Sequence, residues 1–282
     1  MNSEPFFNKA RNEHDATITL MGSYAMSGST SKSPDRFRLD GLVALVTGAG
    51  RGLGQACAVA LAEAGASLIL MSRTQTELDD VAGQIEIQGG RARTVICDAA
   101  DPHAIATTVP GLGHIDVLVN NAGTNIPEPF VDVKLEHLDA ILNLNVRGAF
   151  LIAQAVVRGM LERRQGGSII HMSSQMGHVG APNRTAYCAS KHAIEGMTKA
   201  MGVELAPHGI RVNSVGPTFV ETPLARDFLA DPAFAADVIA RIPMGRLGQL
   251  EDVADAVVYL AAPASKMVTG ASLVVDGGWT AR

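Results

Sequence analysis

From Leu42 onward the apolar residues fall into short unbroken runs, separated by longer stretches in which they recur with a helical period. The runs are Val43-Ala44-Leu45-Val46 and then Ser67 to Met71, Arg93 to Cys97, Val117 to Asn120, Ser168 to Met172, Arg211 to Val215 and Ser272 to Val275. Helical patterns fill Gln55 to Ala64, Thr76 to Gln88, Glu136 to Arg163, a stretch from the region of Tyr187 to about Ala206, and much of Pro223 to Ala262. Strands that are apolar throughout, rather than alternating, are covered on both faces. Their alternation with helices predicts an α/β fold: one doubly wound domain with a seven-stranded parallel sheet and helices on both faces. Between the last two strands, Phe219 to Arg241 is punctuated by Pro223, Pro232 and Pro243, which predicts a helical lid before the last strand.

No linker or shift of composition interrupts the chain after residue 40, so a single domain is predicted over residues 39–282. Residues 1–38 are rich in Ser, Asn, Lys and Asp and lack a period, which predicts a disordered or loosely attached extension. Met26 lies inside that extension and is a candidate translation start.

Composition narrows the function classes. The 282 residues carry a formal net charge of -5, with basic residues scattered and only 4% aromatics, so no cationic stacking surface for nucleic acid is present in the pattern. Cys57, Cys97 and Cys188 lie far apart without metal-ligand spacing; they read as core residues of a protein in a reducing compartment, and no metal site is expected. No uninterrupted apolar run reaches the roughly 18 residues a bilayer crossing needs. Thr17 to Met21 is too short and too polar for a signal-peptide core. A soluble, cytoplasmic protein acting on a small molecule is the expectation.

Thr47-Gly48-Ala49-Gly50-Arg51-Gly52-Leu53-Gly54 follows the first strand and opens the first helix. Glycines let backbone amides approach a pyrophosphate, and the amino end of the helix adds partial positive charge. Gly48, Gly50, Arg51, Gly52, Leu53 and Gly54 are therefore candidate dinucleotide contacts. A carboxylate at the end of the second strand would hold an adenosine ribose and repel a 2′-phosphate. The chain has Ser72-Arg73 there, and Arg51 supplies a second guanidinium, which predicts NADP, with NAD as the other candidate. Asp98, after the third strand, is placed either to accept from an adenine amino group or to cap the following turn. Asn121, Ala122 and Gly123 end the fourth strand at the same sheet edge, where small residues let a ribose or nicotinamide lie against the backbone.

Tyr187-Cys188-Ala189-Ser190-Lys191 sets a phenol and an ammonium one helical turn apart on one face. A neighbouring cation favours the phenolate, so the phenol is expected to titrate below its ordinary value of about 10 and to exchange protons with an alcohol or carbonyl. Ser173-Ser174 ends the fifth strand, where a hydroxyl can hold a substrate oxygen beside that phenol. Asn145 falls inside a predicted helix, an unfavourable place for asparagine unless its amide has a polar role.

In this order, TGAGRGLG (47–54), Asp98, NNAG (120–123), Asn145, Ser174, YCASK (187–191), NSVGPTFVETP (213–223) and VVDGGW (274–279) resemble the classical short-chain dehydrogenase/reductase family over residues 40–282. The resemblance implies a Rossmann-type domain and an alcohol–ketone oxidoreductase. Tyr187 would be the acid/base, Lys191 would lower its pKa and bind the nicotinamide ribose, Ser174 would orient the substrate oxygen, and Asn145 would hold a water in a proton relay. Asn121, Val220 and Thr222 would be cofactor contacts. Where the family often has Pro-Gly after the sixth strand, this chain has Pro217-Thr218. Met176, His178, Asn183 and Phe219 are expected to wall the substrate pocket.

The leading expectation is a 3-oxoacyl-thioester-type reductase, with Arg163, Arg164 and Arg184 as contributors to a carrier-protein docking patch. A sugar or polyol dehydrogenase of the gluconate or ketose type is the alternative. A non-catalytic nucleotide-sensing module is disfavoured because the Tyr187 and Lys191 pair is retained. A homotetramer packed through the helices near 136–163 and 186–206 is implied by the family. Replacing Arg73 with Glu should reverse the NADPH-over-NADH ratio of kcat/KM; an unchanged ratio would show that Arg73 is only a solvated helix-start residue.

Overall fold

The structure is a computed structural model that describes residues 32–222 and 230–281. The predicted extension over residues 1–38 and the start at Met26 lie almost wholly outside the described residues, as does the first part of the expected lid. Among the described residues, Pro34–Phe37 form a short 3-10 turn, and Phe37 packs on Tyr259 with ring centroids 6.2 Å apart.

Seven strands form one parallel sheet: β1 (Val43–Thr47), β2 (Ser67–Ser72), β3 (Arg91–Ile96), β4 (Val117–Asn120), β5 (Gly167–Met172), β6 (Ile210–Pro217) and β7 (Ser272–Val275). Their order is β3-β2-β1-β4-β5-β6-β7. The chain therefore winds outward in one direction from β1 to β3, crosses back, and continues the other way from β4. That reversal leaves a crevice at the carboxyl ends of β1 and β4, where open α/β sheets bind their ligands.

The connecting helices are α1 (Gly52–Glu63), α2 (Gln75–Ile87), α3 (Pro102–Thr108), α4 (Leu135–Leu142), α5 (Ala149–Arg163), α6 (Thr185–Leu205), α7 (Pro232–Arg241) and α8 (Leu250–Ala261). Because side chains alternate across a strand, each strand feeds two cores. Ala44, Val46, Leu68, Leu70, Val119 and Ile170 meet α1, α2 and α8 on one face, while Leu45, Ile69, Leu118, Ile169 and Val212 meet α3, α5 and α6 on the other. The chemistry of each strand follows its place in the sheet: central β1 and β4 are buried along nearly their whole length, whereas the edge strand β3 exposes Arg91, Arg93 and Ile96.

The long helix expected over 136–163 is interrupted. Asn143–Gly148 adopt a π-helical turn between α4 and α5. Such turns arise where a side chain must be re-aimed at the cost of helix regularity. Asn145, 2% exposed, sits inside it. The combined 29-residue span Leu135–Arg163 has a mean hydropathy of 1.5, and among the described residues it alone is long and apolar enough to cross a membrane by length and composition. Here Ile152, Ala153, Val156 and Met160 of that span pack into the core against the sheet.

One polar row crosses the sheet beneath the crevice. Asn120, His171, Ser214 and Ser272 are in register across β4, β5, β6 and β7. His171 is fully buried, and neither ring nitrogen has a hydrogen-bond partner among the described residues. Burial first, and the Lys191 charge second, hold its pKa down to about 4. The ring is therefore neutral in the folded protein, whereas the unfolded chain protonates it at about 6.5. Stability from this group is complete above that pH and is lost as the pH falls from 6.5 through 4, a loss on the order of 3 kcal/mol. Denaturant midpoints measured across that window should fall less steeply for His171→Gln than for the native protein.

Candidate active site

A cavity of about 810 Å³ opens at the crevice predicted by the sheet topology. One end is walled by the glycine turn, Ser72, Arg73, Glu77 and Asp98; the other by Asn121 to Asn125, Ser173, Ser174, Tyr187, Lys191, Thr218 and Thr222.

The glycine turn needs its glycines. Gly48 and Gly52 have φ of +63° and +59°, which disfavour any side chain. A Cβ on Gly54 would collide with the Gly48 carbonyl and lie 2.6 Å from Asn121 Nδ2. The turn is braced from β4: Thr47 Oγ1 accepts from the backbone amides of Asn121 and Ala122, both at 2.9 Å, and Asn121 Nδ2 donates to the Thr47 carbonyl at 3.0 Å. The amide of Asn121 thus shapes the wall rather than reaching into it. Arg51 is 80% exposed in its side chain and lies 3.6 Å from the Glu77 carboxylate. Glu77 had no signal in the sequence, because only folding brings the first turn of α2 against Gly50. Arg73 is exposed beside it. Asp98 serves the turn, accepting from Ala100 N at 2.9 Å, while still lining the cavity.

At the other end, α6 carries Tyr187 and Lys191 as the spacing predicted. Lys191 is 5% exposed and donates to the Met172 carbonyl at 2.7 Å, with Nζ 5.5 Å from the centre of the Tyr187 ring. Burial pulls the Lys191 amine down to about 8, opposed by the Glu195 charge. The expected lowering of the phenol does not occur: burial pushes Tyr187 up to about 12, with a hydrogen bond involving Ser174 pulling the other way. Desolvation of a phenolate outweighs an amine whose own hydrogen bond is directed at a carbonyl.

Ser174 donates to Gln175 Oε1 at 2.9 Å and accepts from Met176 N at 3.1 Å. Of the two serines it is Ser174 that meets the phenol, whereas Ser173 Oγ is buried without a partner among the described residues. Asn145 is fully engaged: Oδ1 accepts from Thr124 N at 2.8 Å, and Nδ2 donates to the Thr124 carbonyl at 2.9 Å and to Ser190 Oγ at 3.1 Å. It ties the loop after β4 to α6 one residue before Lys191. Its side chain is used as a clamp.

Several expectations about the substrate wall are corrected. Met176, His178, Asn183 and Phe219 do not line the cavity; Thr124, Asn125 and Leu144 do. Phe219 stacks instead on Phe234 and Trp279, His178 turns toward Ser272, and the Asn183 carbonyl accepts from Glu128 N. Val220 is 4% exposed, with its side chain in the core rather than on the cavity wall. Thr222 is on the wall as expected. Thr124 and Asn125 directly follow the NNAG stretch, a proximity that could have flagged them. Cys57 and Cys97 are buried as expected, but Cys188 is only partly so.

The residues present fit a dinucleotide. The glycine turn keeps one end of the cavity clear of side chains, and two buried hydroxyls at the other end, Ser173 and Thr218, lack partners among the described residues.

A family model described as enoyl-(acyl carrier protein) reductase matches residues 48–280. The L-xylulose reductase of Bos taurus is 41% identical over 244 residues, covering 86% of this chain and 98% of that protein. The chain belongs to the short-chain dehydrogenase/reductase family. Further members are similar at comparable level. Carbonyl reductase [NADPH] 2 of Sus scrofa is 39% identical over 87% of this chain and 99% of its own length. A gluconate 5-dehydrogenase from Burkholderia cenocepacia J2315, solved in complex with NADP and tartrate, is 37% identical with a TM-score of 0.84, covering 89% of this chain and 100% of that one. This short-chain dehydrogenase/reductase is therefore a nicotinamide-dependent oxidoreductase on a seven-stranded Rossmann-type sheet.

Asn145→Ala would leave the Thr124 amide and carbonyl without side-chain partners in a half-buried loop. A loss of about 2 kcal/mol in unfolding free energy is expected in urea denaturation, together with a fall in activity.

Proposed function

We propose that the protein is an NADP-dependent reductase of a ketose or related sugar-derived ketone, interconverting it with the secondary alcohol. The observation that carries the reading is the polar lining at the Tyr187 end of the cavity, where Thr124, Asn125, Ser174 and Tyr187 bring hydroxyl- and amide-bearing side chains to a polyhydroxylated substrate. The names of the similar proteins, L-xylulose reductase and gluconate 5-dehydrogenase, support it.

The acyl-thioester alternative is weaker because its docking patch is depleted. Arg163 donates to the Ile115 carbonyl, and Arg184 is only 8% exposed.

NADP is the cofactor. Gly48, Gly50, Gly52, Leu53 and Gly54 would hold its pyrophosphate, Ser72, Arg73 and Arg51 the 2′-phosphate, and Asp98 the adenine. Ala122, Gly123 and Thr222 would border the nicotinamide half, with Lys191 on its ribose. When bound, the nicotinamide supplies the hydride, which no side chain can. Ser174 and Tyr187 take the substrate carbonyl oxygen between their hydroxyls. Tyr187, protonated at neutral pH, can give its proton to the developing alkoxide. Lys191 adds positive charge as the phenolate forms, and Asn145 keeps the two halves of the site in register. Assembly as a homotetramer is part of the same reading, supported by Phe130, Val131, Leu135 and Phe150, which lie exposed along or just before α4 and α5.

Purified protein assayed by NADPH absorbance should reduce ketoses at a kcat/KM at least about tenfold above acetoacetyl thioesters, with Tyr187→Phe losing at least about 100-fold. Preference for the thioesters would overturn the substrate class, and an unimpaired Tyr187→Phe would overturn the acid/base role.

A further inference from the structure

Directly behind Lys191 on α6 lies a second ionisable group that the proposed chemistry does not use. Glu195 is four residues on, one helical turn away on the same face, and is only 5% exposed. Buried carboxylates are costly unless held by donors. Here both carboxylate oxygens accept from Ser214 Oγ, at 3.0 and 2.9 Å, and one also accepts from Ser272 Oγ at 3.2 Å. His178 Nε2 closes the solvent side, 3.5 Å from the carboxylate and 3.0 Å from Ser272 Oγ. Four separate elements therefore converge on this carboxylate: α6, β6, β7 and the loop after β5.

Donors of that kind stabilise the charged form of an acid in a dry place. A buried anion one turn from a buried amine is a counter-charge. Among the described residues, the other titratable groups around the pair are Tyr187 on α6, His171 from β5, whose ring is neutral, and His178 at the surface. None of these supplies a permanent negative charge to Lys191. Among the described residues, the Glu195 charge is the ionic influence that opposes the burial of the Lys191 amine, beside the Met172 carbonyl that accepts its hydrogen bond.

We propose that Glu195 is a positioning residue for Lys191: a carboxylate held in the core by Ser214 and Ser272 that keeps the amine in its ammonium form and directed at the Met172 carbonyl. This rests on Lys191 being the catalytic and ribose-binding lysine. Glu195 touches neither cofactor nor substrate. It acts through the charge of its neighbour, and its loss appears as a change of pH dependence rather than as a uniform loss of rate.

The experiment compares native protein with Glu195→Gln and Glu195→Asp in two readouts across pH 6 to 10: kcat/KM for an accepted ketone, and the Kd for NADPH followed by its fluorescence. Neutralising the carboxylate should move the alkaline fall of kcat/KM down by about one pH unit. At pH 9 the NADPH Kd should rise several-fold over native, while at pH 6.5 the two proteins agree within about twofold. Glu195→Asp, which keeps the charge, should retain most of the native profile. A Glu195→Gln protein with the native alkaline limb, or with activity and affinity reduced equally at every pH, would overturn the proposal, as would Glu195→Asp shifting as far as Glu195→Gln. If Glu195→Gln does not fold, Ser214→Ala, which removes the carboxylate's principal donor, should shift the limb in the same direction, and an unshifted limb overturns the proposal. The NADPH titration needs no substrate, so a wrong substrate class would leave this outcome readable.

Discussion

The hydrogen bond from the Lys191 ammonium to the Met172 carbonyl, 2.7 Å long and shielded from water, fixes the rest of the site. It fastens α6 to the carboxyl end of β5. Once that contact is made, Tyr187 is carried one turn back along the helix to the mouth of the sheet, and Ser174, two residues beyond Met172, arrives beside it. An ammonium in a dry place is unfavourable by itself, and its surroundings compensate: a carbonyl in front and a serine-held carboxylate behind. Its electrostatic cost is still visible in the lowered amine pKa, and its positive charge is one reason the His171 ring stays neutral.

The other half of the cavity is shaped by backbone rather than charge. Asn121 donates two hydrogen bonds to Thr47 between the ends of β4 and β1, the two strands at which the winding reverses. This brace holds the glycine turn open against the neighbouring strand. The π-helical turn at Asn143–Gly148 does the corresponding work opposite: it turns the Asn145 amide toward Thr124 and Ser190 and so joins the β4 loop to the helix bearing the phenol. Both are cases in which regular structure gives way locally so that two elements meet at a fixed spacing.

The polar residues of the sheet tell a consistent story about burial. Asn120, His171, Ser214 and Ser272 form one row under the crevice, and at its outer end Ser214 and Ser272 hold Glu195. A row of this kind makes the ground beneath the site polar without opening it to water. That raises the energetic weight of every charge placed there.

The amino-acid sequence by itself determined the alternation of strands and helices, the parallel sheet, the glycine turn and the Tyr187–Lys191 pair, since each depends on residues close together in the chain. Periodicity, glycine freedom and one-turn spacing are local physics. Tertiary structure decided what depended on distant partners. It raised the phenol rather than lowering it, because burial cannot be read from the neighbouring four residues. It placed Glu77 at Gly50 and Glu195 under Ser214 and Ser272, made Asn145 a clamp, and took Met176, His178, Asn183 and Phe219 off the cavity wall. Desolvation and packing belong to the assembled molecule, and only the folded chain sets which side chains share a surface and which lose their water.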